Sequence, residues 1–144
     1  KLNRIGEQAK GAGLGFAYHN HGYEFENWEG SSGHDILMQI TDPELVKLQM
    51  DMYWVVHSGK TPKQLVEQQP GRYTLWHIKD MDKITRDYSE LGNGSIDYTQ
   101  LLPDSEKSGL EYYYIEQGGN FAVSSMESAA TSARFFKKNL KHLI

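Results

Sequence analysis

Four side chains able to bind a metal ion or move a proton recur near the ends of the hydrophobic segments of this sequence. They are Glu24, Asp51, His77 and Glu116, separated by 27, 26 and 39 residues. Three carboxylates brought together without a counter-charge would repel one another and partly protonate, whereas a divalent cation would keep them ionised. The residue types therefore predict a metal site, with an ion-pair network that includes Lys79 as the alternative.

The types of ligand atom limit which metal ions can bind. Three carboxylates and one imidazole favour one divalent metal ion, Mn²⁺, Mg²⁺ or Co²⁺, and Zn²⁺ is also compatible. The identity of the first ligand is undecided between Glu24 and three residues near it in the chain, His19, His21 and Glu26. The sequence has no cysteine, which excludes disulfides, thiolate-bound zinc and iron–sulfur clusters.

The elements that must position these groups alternate between extended and helical segments. Predicted strands, rich in aromatic and β-branched or apolar residues, cover 15–21, 46–56, 73–79 and 112–117. Predicted helices cover 1–13, 32–40, 61–69, 97–108 and 124–143. Strands that alternate with helices are typical of βαβ units, so the pattern predicts an α/β fold with a parallel sheet.

Alternation along the predicted strands places the polar groups on one face. That face comprises Gln49, Asp51, Tyr53, Leu75, His77, Lys79, Tyr112, Tyr114 and Glu116. No GxGxxG or GxxxxGK[ST] turn follows a strand, which favours a barrel over a doubly wound sheet. A complete barrel needs at least about 200 residues, and this chain has 144. The sequence therefore predicts half a barrel, with the strand ends on one rim.

An ordered set of motifs carries a family resemblance. The motifs are YHNHGYEF at 18–25, MDMYW at 50–54, HIKD at 77–80, LGNGSID at 91–97 and IEQ at 115–117. Together they resemble the sugar phosphate isomerase/epimerase family, which has the xylose isomerase-like TIM barrel and is related to endonuclease IV. The resemblance implies that residues 1–144 form a single domain, the C-terminal half of that barrel with four parallel βα units.

The same resemblance implies a site and a chemistry. The family's metal ligands map by position onto Glu24, Asp51, His77 and Glu116. Isomerase or epimerase chemistry on a sugar or keto-sugar is the leading hypothesis, with proton transfer next to a carbonyl by Glu24, Glu116 or His21. The sequence departs from the family pattern in its missing first four strands and in Gly118-Gly119, where an acidic residue often follows the last ligand.

Two other functions stay open. The same proton abstraction could expel a β-substituent, which would make the enzyme a dehydratase or lyase acting on keto-sugars or 3-keto-glycosides. A non-catalytic sugar-binding half-barrel or an inactive fragment is the non-enzymatic alternative. Four residues near the rim are predicted to contact the substrate: Lys79, Trp54, Tyr53 and His57, the last placed in the loop after the second strand.

The expected partners follow from charge and length. A net charge of −4 argues against a nucleic-acid partner, and no apolar stretch approaches the roughly 18 residues of a membrane span. We expect a small sugar substrate and either a homo-oligomer, a dimer if 144 residues is the whole product, or a missing N-terminal half of the barrel. A cytoplasmic location is slightly favoured over a periplasmic one.

Three features outside the predicted site complete the expectations. Gly92-Asn93-Gly94 could cradle phosphate with backbone N–H groups, although a plain turn is the better interpretation. His34 and His142 lie on predicted helices away from the rim, and we expect both at the surface.

Overall fold

The computed structural model describes residues 1–144 as an α/β protein with eight strands and seven α-helices. The strands are β1 (Ala17–His19), β2 (Asn27–Trp28), β3 (Ser31–Ser32), β4 (Lys47–Asp51), β5 (Leu75–Ile78), β6 (Asp80–Met81), β7 (Tyr88–Ser89) and β8 (Tyr112–Ile115). The helices are α1 (Leu2–Gly11), α2 (Gly33–Ile40), α3 (Met52–His57), α4 (Pro62–Gln68), α5 (Tyr98–Leu101), α6 (Ser105–Ser108) and α7 (Ser125–Asn139). Two 3₁₀ turns cover Tyr23–Phe25 and Lys141–Leu143.

The central sheet has four strands in the order β1-β4-β5-β8, and every neighbouring pair is parallel. Asp51, the last residue of β4, pairs with His77 of β5. The ladder continues just beyond β8, where the Glu116 N–H donates to the Ile78 carbonyl. The carboxyl ends of the strands are thus in register, and the predicted fold class of four parallel βα units is confirmed.

The two faces of the sheet differ in burial. Leu48, Met50, Trp76 and Ile78 are almost fully buried and belong to the hydrophobic core. The other face carries the polar strand-end groups, and its outer strand leaves Tyr112 at 62% and Tyr114 at 47% exposure. Burial of the apolar face fixes the strand register, because a slip of one residue would move Trp76 to the open face.

The second predicted strand is wrong beyond Asp51. Residues 52–57 form α3, which begins directly where β4 ends. The Asp51 side chain caps this helix by accepting a hydrogen bond from the Trp54 N–H at 3.4 Å. A short apolar run suits a buried strand or a buried helix equally well, so its pattern alone could not separate the two. Tyr53, Trp54 and His57 therefore lie on a helix and not on a strand or loop.

Smaller differences have local causes. The predicted helix over 97–108 is two short helices, α5 and α6, separated at Leu102-Pro103, because proline cannot donate within a helix. The hairpins β2–β3 and β6–β7 were not predicted. His34 is buried and bonded to the Tyr73 hydroxyl at 3.0 Å, so its predicted surface position is wrong. No helix combines the length and the apolarity needed to cross a bilayer.

Candidate metal centre

Three potential metal ligands meet where β1, β4 and β5 end. His19, Asp51 and His77 each offer a ligand atom, and these atoms all lie within 4.8 Å of one another. His19 Nε2 lies 3.1 Å from Asp51 Oδ2, and His77 Nδ1 lies 3.7 Å from the same oxygen. The convergence follows from the parallel register, which places the three strand ends side by side.

Asp51 is the centre of this group. Its side chain is fully buried, with Oδ2 facing the site and Oδ1 capping α3. Burial by itself would raise the pKa of Asp51, but the polar contacts from His19, His77 and Lys79 outweigh it and hold that pKa far below its usual range. Asp51 is therefore a charged, buried carboxylate at neutral pH.

Glu116 and Lys79 extend the group toward β8. Glu116 Oε2 lies 3.1 Å from His77 Nδ1, and the Lys79 ammonium contacts both Glu116 and Asp51, the latter at 2.7 Å. Burial would lower the pKa of Lys79, but the two carboxylates raise it, so the side chain stays charged. His77 Nδ1 and Glu116 Oε2 are buried, yet neither makes a hydrogen bond of good geometry.

Glu24 is not part of the group formed by His19, Asp51 and His77. Its oxygens accept hydrogen bonds from the Tyr18 hydroxyl at 2.7 Å and from the His21 N–H at 2.8 Å. Burial and the bond to Glu24 raise the pKa of Tyr18. Glu24 as first ligand stays a prediction, while His19, one of its sequence alternatives, is the residue brought beside Asp51 and His77. Glu26 follows the 3₁₀ turn and is exposed.

Asn20 positions the site, and sequence reasoning missed it. Its Oδ1 accepts from the Asp51 N–H at 3.0 Å, and its Nδ2 donates to the Asp51 carbonyl at 3.4 Å. These bonds join the ends of β1 and β4 at the point where the regular ladder stops. An asparagine within the predicted strand 15–21 was the available signal, because a buried amide side chain needs hydrogen-bond partners.

His21 lies beside the ligand group. Its ring is stacked on Tyr23 with centroids 5.5 Å apart and lies 4.8 Å from the His19 ring. Trp54 of α3 is the third aromatic neighbour, at 5.9 Å. The buried Nδ1 of His21 has no hydrogen-bond partner within the chain.

An aromatic wall flanks the Lys79 side of the site. Tyr53 and Trp54 of α3 pack against Tyr88 of β7 with ring centroids 4.9 and 6.4 Å apart, and the Lys79 ammonium lies 5.6 Å from the centre of the Tyr88 ring. His57 lies 5.4 Å from Trp54 at the end of the helix. Burial, followed by the nearby Arg86, lowers the pKa of His57, so its ring is neutral at pH 7. Tyr88 was missed because nothing in the sequence predicts its hairpin.

The glycine loop after β7 binds a carboxylate of the chain itself. The N–H groups of Gly92, Gly94 and Ile96 donate to the buried Asp80 side chain at 2.8 to 3.1 Å. A Cβ on Gly94 would lie 2.2 Å from an Asp80 oxygen, so glycine is required there. The loop is a closed structural turn next to Lys79, in agreement with the better of the two sequence interpretations.

The arrangement fits a divalent cation. A buried carboxylate, two imidazoles and a second carboxylate supply oxygen and nitrogen donors of the type that first-row divalent metals prefer. His77 Nδ1 and Glu116 Oε2 face each other at 3.1 Å without a hydrogen bond of good geometry, and the Lys79 ammonium touches the same Glu116 oxygen. His19, Asp51 and His77 have ligand atoms close enough together to hold one ion, and Glu116 lies beside His77.

The fold and the strand-end site together define the class. Parallel βα units with charged groups at the carboxyl ends of the strands are the architecture of a TIM-barrel enzyme, and the fold is that of half of a xylose isomerase-like TIM barrel. No family model matches the sequence. The chain is 28% identical over an alignment of 161 residues to the inosose dehydratase of Clostridium perfringens, which covers 99% of this chain and 53% of that protein.

Solved structures of similar fold also match this chain over about half of their own length. A sugar phosphate isomerase/epimerase from Parabacteroides distasonis matches with a TM-score of 0.82 and 27% identity, over 96% of this chain and 50% of that one. The IolI protein, whose crystal structure has a bound zinc atom, matches with a TM-score of 0.69 and 17% identity, over 95% of this chain and 52% of that one. The resemblance to the sugar phosphate isomerase/epimerase family is confirmed, and the chain spans about half the length of these proteins.

Proposed function

We propose that this chain carries the metal-holding half of an enzyme that removes a proton next to the carbonyl of a keto-sugar and then eliminates water. The observation that carries the proposal is the group of His19, Asp51 and His77, with Glu116 against His77, at the strand ends of a half-barrel. A divalent metal bound there would act as a Lewis acid toward the substrate carbonyl.

The chain's own residues have distinct roles in this proposal. Asp51 and His77, with Glu116 and either His19 or Glu24, hold the ion. His21, with its unbonded Nδ1, is the candidate for taking the proton, and Glu116 or Glu24 is the alternative base. Tyr53, Trp54, His57 and Lys79 line the side on which a sugar ring would lie.

Elimination is favoured over isomerisation by the relatives. The relatives from Clostridium perfringens and Geobacillus thermodenitrificans are named inosose dehydratases, and an inosose is a cyclic keto-polyol. In such a reaction the base takes the proton on the carbon next to the carbonyl. The electron pair left behind forms a carbon–carbon double bond as the neighbouring C–OH bond breaks, and the hydroxyl leaves with a proton as water. Isomerase or epimerase activity, in which the proton is returned to carbon, is the second candidate, since a 27% identical neighbour carries that name.

One experiment separates these functions. The chain is incubated with Mn²⁺ and an inosose in D₂O, while NMR follows the proton next to the carbonyl and ultraviolet absorbance follows a conjugated ketone. We expect metal-dependent absorbance that Glu116→Gln abolishes and that Glu111→Gln, an exposed charge preceding β8, leaves unchanged. Exchange without absorbance would contradict elimination and favour the isomerase. Stoichiometric metal with neither signal would favour a sugar-binding half-barrel or an inactive fragment.

We further propose that residues 1–144 form one domain whose open sheet face is covered by four further βα units. That face exposes Tyr112 and Tyr114 and borders a cleft of about 590 Å³ at the amino-terminal ends of the strands. The units would belong either to a longer chain or to a second copy of this one. The 144-residue chain by itself is expected to sediment as a dimer, and a monomer that unfolds cooperatively would contradict that expectation.

A further inference from the structure

The Lys79 side chain occupies the position of a cation among the candidate ligands. Its ammonium contacts Asp51 Oδ2 at 2.7 Å and also touches Glu116 Oε2. Asp51 Oδ2 is the same oxygen that faces His19 and His77, and Glu116 Oε2 is the same oxygen that faces His77. The lysine therefore uses the atoms that a metal ion would need.

This contact is built into the fold. Lys79 is only 5% exposed, and the Tyr98 hydroxyl fixes its backbone by bonding both its N–H and its carbonyl. The Tyr88 ring lies against the ammonium. An ion pair made by a surface lysine contributes little to stability, because ordering the side chain costs entropy. The Lys79 side chain is already ordered by the Tyr98 bonds to its backbone and by the Tyr88 ring beside its ammonium.

We propose that the Lys79 ammonium is the resident cation of the metal centre and that it must leave Asp51 and Glu116 when a divalent ion binds. This inference rests on the metal centre of the proposed function. Without metal, the ammonium contacts both carboxylates and offsets the repulsion that two unpaired acids would suffer. With metal, the displaced ammonium is free to bind an oxygen of the substrate.

The displacement reduces the apparent metal affinity. An ion that binds only the fraction of molecules from which Lys79 has moved away has an apparent Kd equal to the intrinsic Kd divided by that fraction. If the ammonium is in place in about nine molecules of ten, its removal should tighten binding about tenfold. A lysine that instead supports the bound metal from outside would have the opposite effect.

The test is Mn²⁺ titration by calorimetry, with the full chain and four variants. Lys79→Met removes the charge, Lys79→Gln does so with a polar end, and Lys79→Arg retains it. Lys47→Met is the matched control, because Lys47 lies on the same face of β4 as Asp51 but four residues before it, and its ammonium bonds the Gly71 carbonyl. Thermal unfolding of each protein is measured with chelator and with Mn²⁺.

We expect Lys79→Met and Lys79→Gln to lower the Kd for Mn²⁺ about tenfold or more, and Lys79→Arg and Lys47→Met to stay within about threefold of the original chain. Both uncharged variants should unfold at a lower temperature in chelator and gain more from Mn²⁺; folding only with Mn²⁺ would support the proposal equally. Mn²⁺ binding by the uncharged variants that is equal to or weaker than that of the original chain would contradict the proposed role of Lys79. It would not contradict the metal centre. No Mn²⁺ binding by any of the proteins would contradict the metal centre itself.

Discussion

Replacing Asp51 by asparagine removes one negative charge from the centre of the site with almost no change in volume. Asparagine caps helices as well as aspartate does, so α3 should keep its cap. The loss is therefore electrostatic: Lys79, 5% exposed, keeps only Glu116 as a partner. Breaking a buried ion pair by removing one partner costs about 3–5 kcal/mol, and the remaining contact to Glu116 places the expected loss near the lower end, at about 3 kcal/mol.

Urea unfolding in the presence of chelator measures this loss. With a slope of about 1–3 kcal/mol/M, a loss of about 3 kcal/mol should lower the midpoint by about 1–3 M at pH 7 while the slope stays constant. Glu44→Gln is the control, because Glu44 is largely exposed and lies 3.9 Å from Lys47; it should change stability by less than about 1 kcal/mol. Adding Lys79→Met to the Asp51 variant should recover part of the loss, with a coupling of about 1–3 kcal/mol.

The effect of Asp51 should also depend on pH in a defined direction. The pKa of Asp51 is lower in the folded chain than its value of about 3.9 in the unfolded chain. Its charge therefore contributes fully to the free energy of unfolding above about pH 4, and this contribution disappears as the pH falls toward the folded-state pKa. The difference between the original chain and Asp51→Asn should narrow in that acidic range. A loss below about 1 kcal/mol at pH 7, or a difference that widens in acid, would refute the electrostatic account.

Two further substitutions probe the loops that support the site. Gly94→Ala should destabilise the chain by several kcal/mol, since its Cβ would lie 2.2 Å from the Asp80 carboxylate and 2.4 Å from the Met81 carbonyl; a urea midpoint equal to that of the original chain would show that the loop can shift. Glu90→Gln should lower the urea midpoint most above pH 5 and hardly at all near pH 2. Hydrogen bonds from the Ala122 N–H and the Ser128 hydroxyl lower the pKa of Glu90 from 4.5 to about 2, so the stabilisation by its charge is complete above about pH 4.5 and is lost as the pH falls toward about 2. A pH-independent difference would contradict this account.

The sequence was sufficient to predict the sheet and much of what its strand ends bring together. Parallel strands place their carboxyl ends on one edge, so Asp51, His77 and Glu116 could be expected to converge from their positions alone. The two-residue alternation of a strand also predicted correctly that His77 and the buried Trp76 lie on opposite faces of the sheet.

The remaining features depended on contacts that a pattern does not encode. The placement of Glu24 depends on the 3₁₀ turn after β1, where the Tyr18 hydroxyl and the His21 N–H donate to its carboxylate, while His19 is the residue that lies beside Asp51 and His77. The start of α3 is decided by one capping bond from Asp51, within an apolar run that would have continued a strand equally well. In both places one or two local hydrogen bonds made by a carboxylate accompany a conformation that the residue pattern does not specify.

The carboxylate of Asp80 gives the Gly92–Ile96 loop a built-in selectivity. Its N–H groups are aligned as an anion receptor would align them, but they are already filled by a group tethered within the same polypeptide. A tethered ligand acts at a local concentration that a metabolite in free solution does not reach. The loop is therefore not expected to bind the phosphate group of a phosphorylated compound, and in the proposed enzyme other groups would have to distinguish a sugar from its phosphate ester.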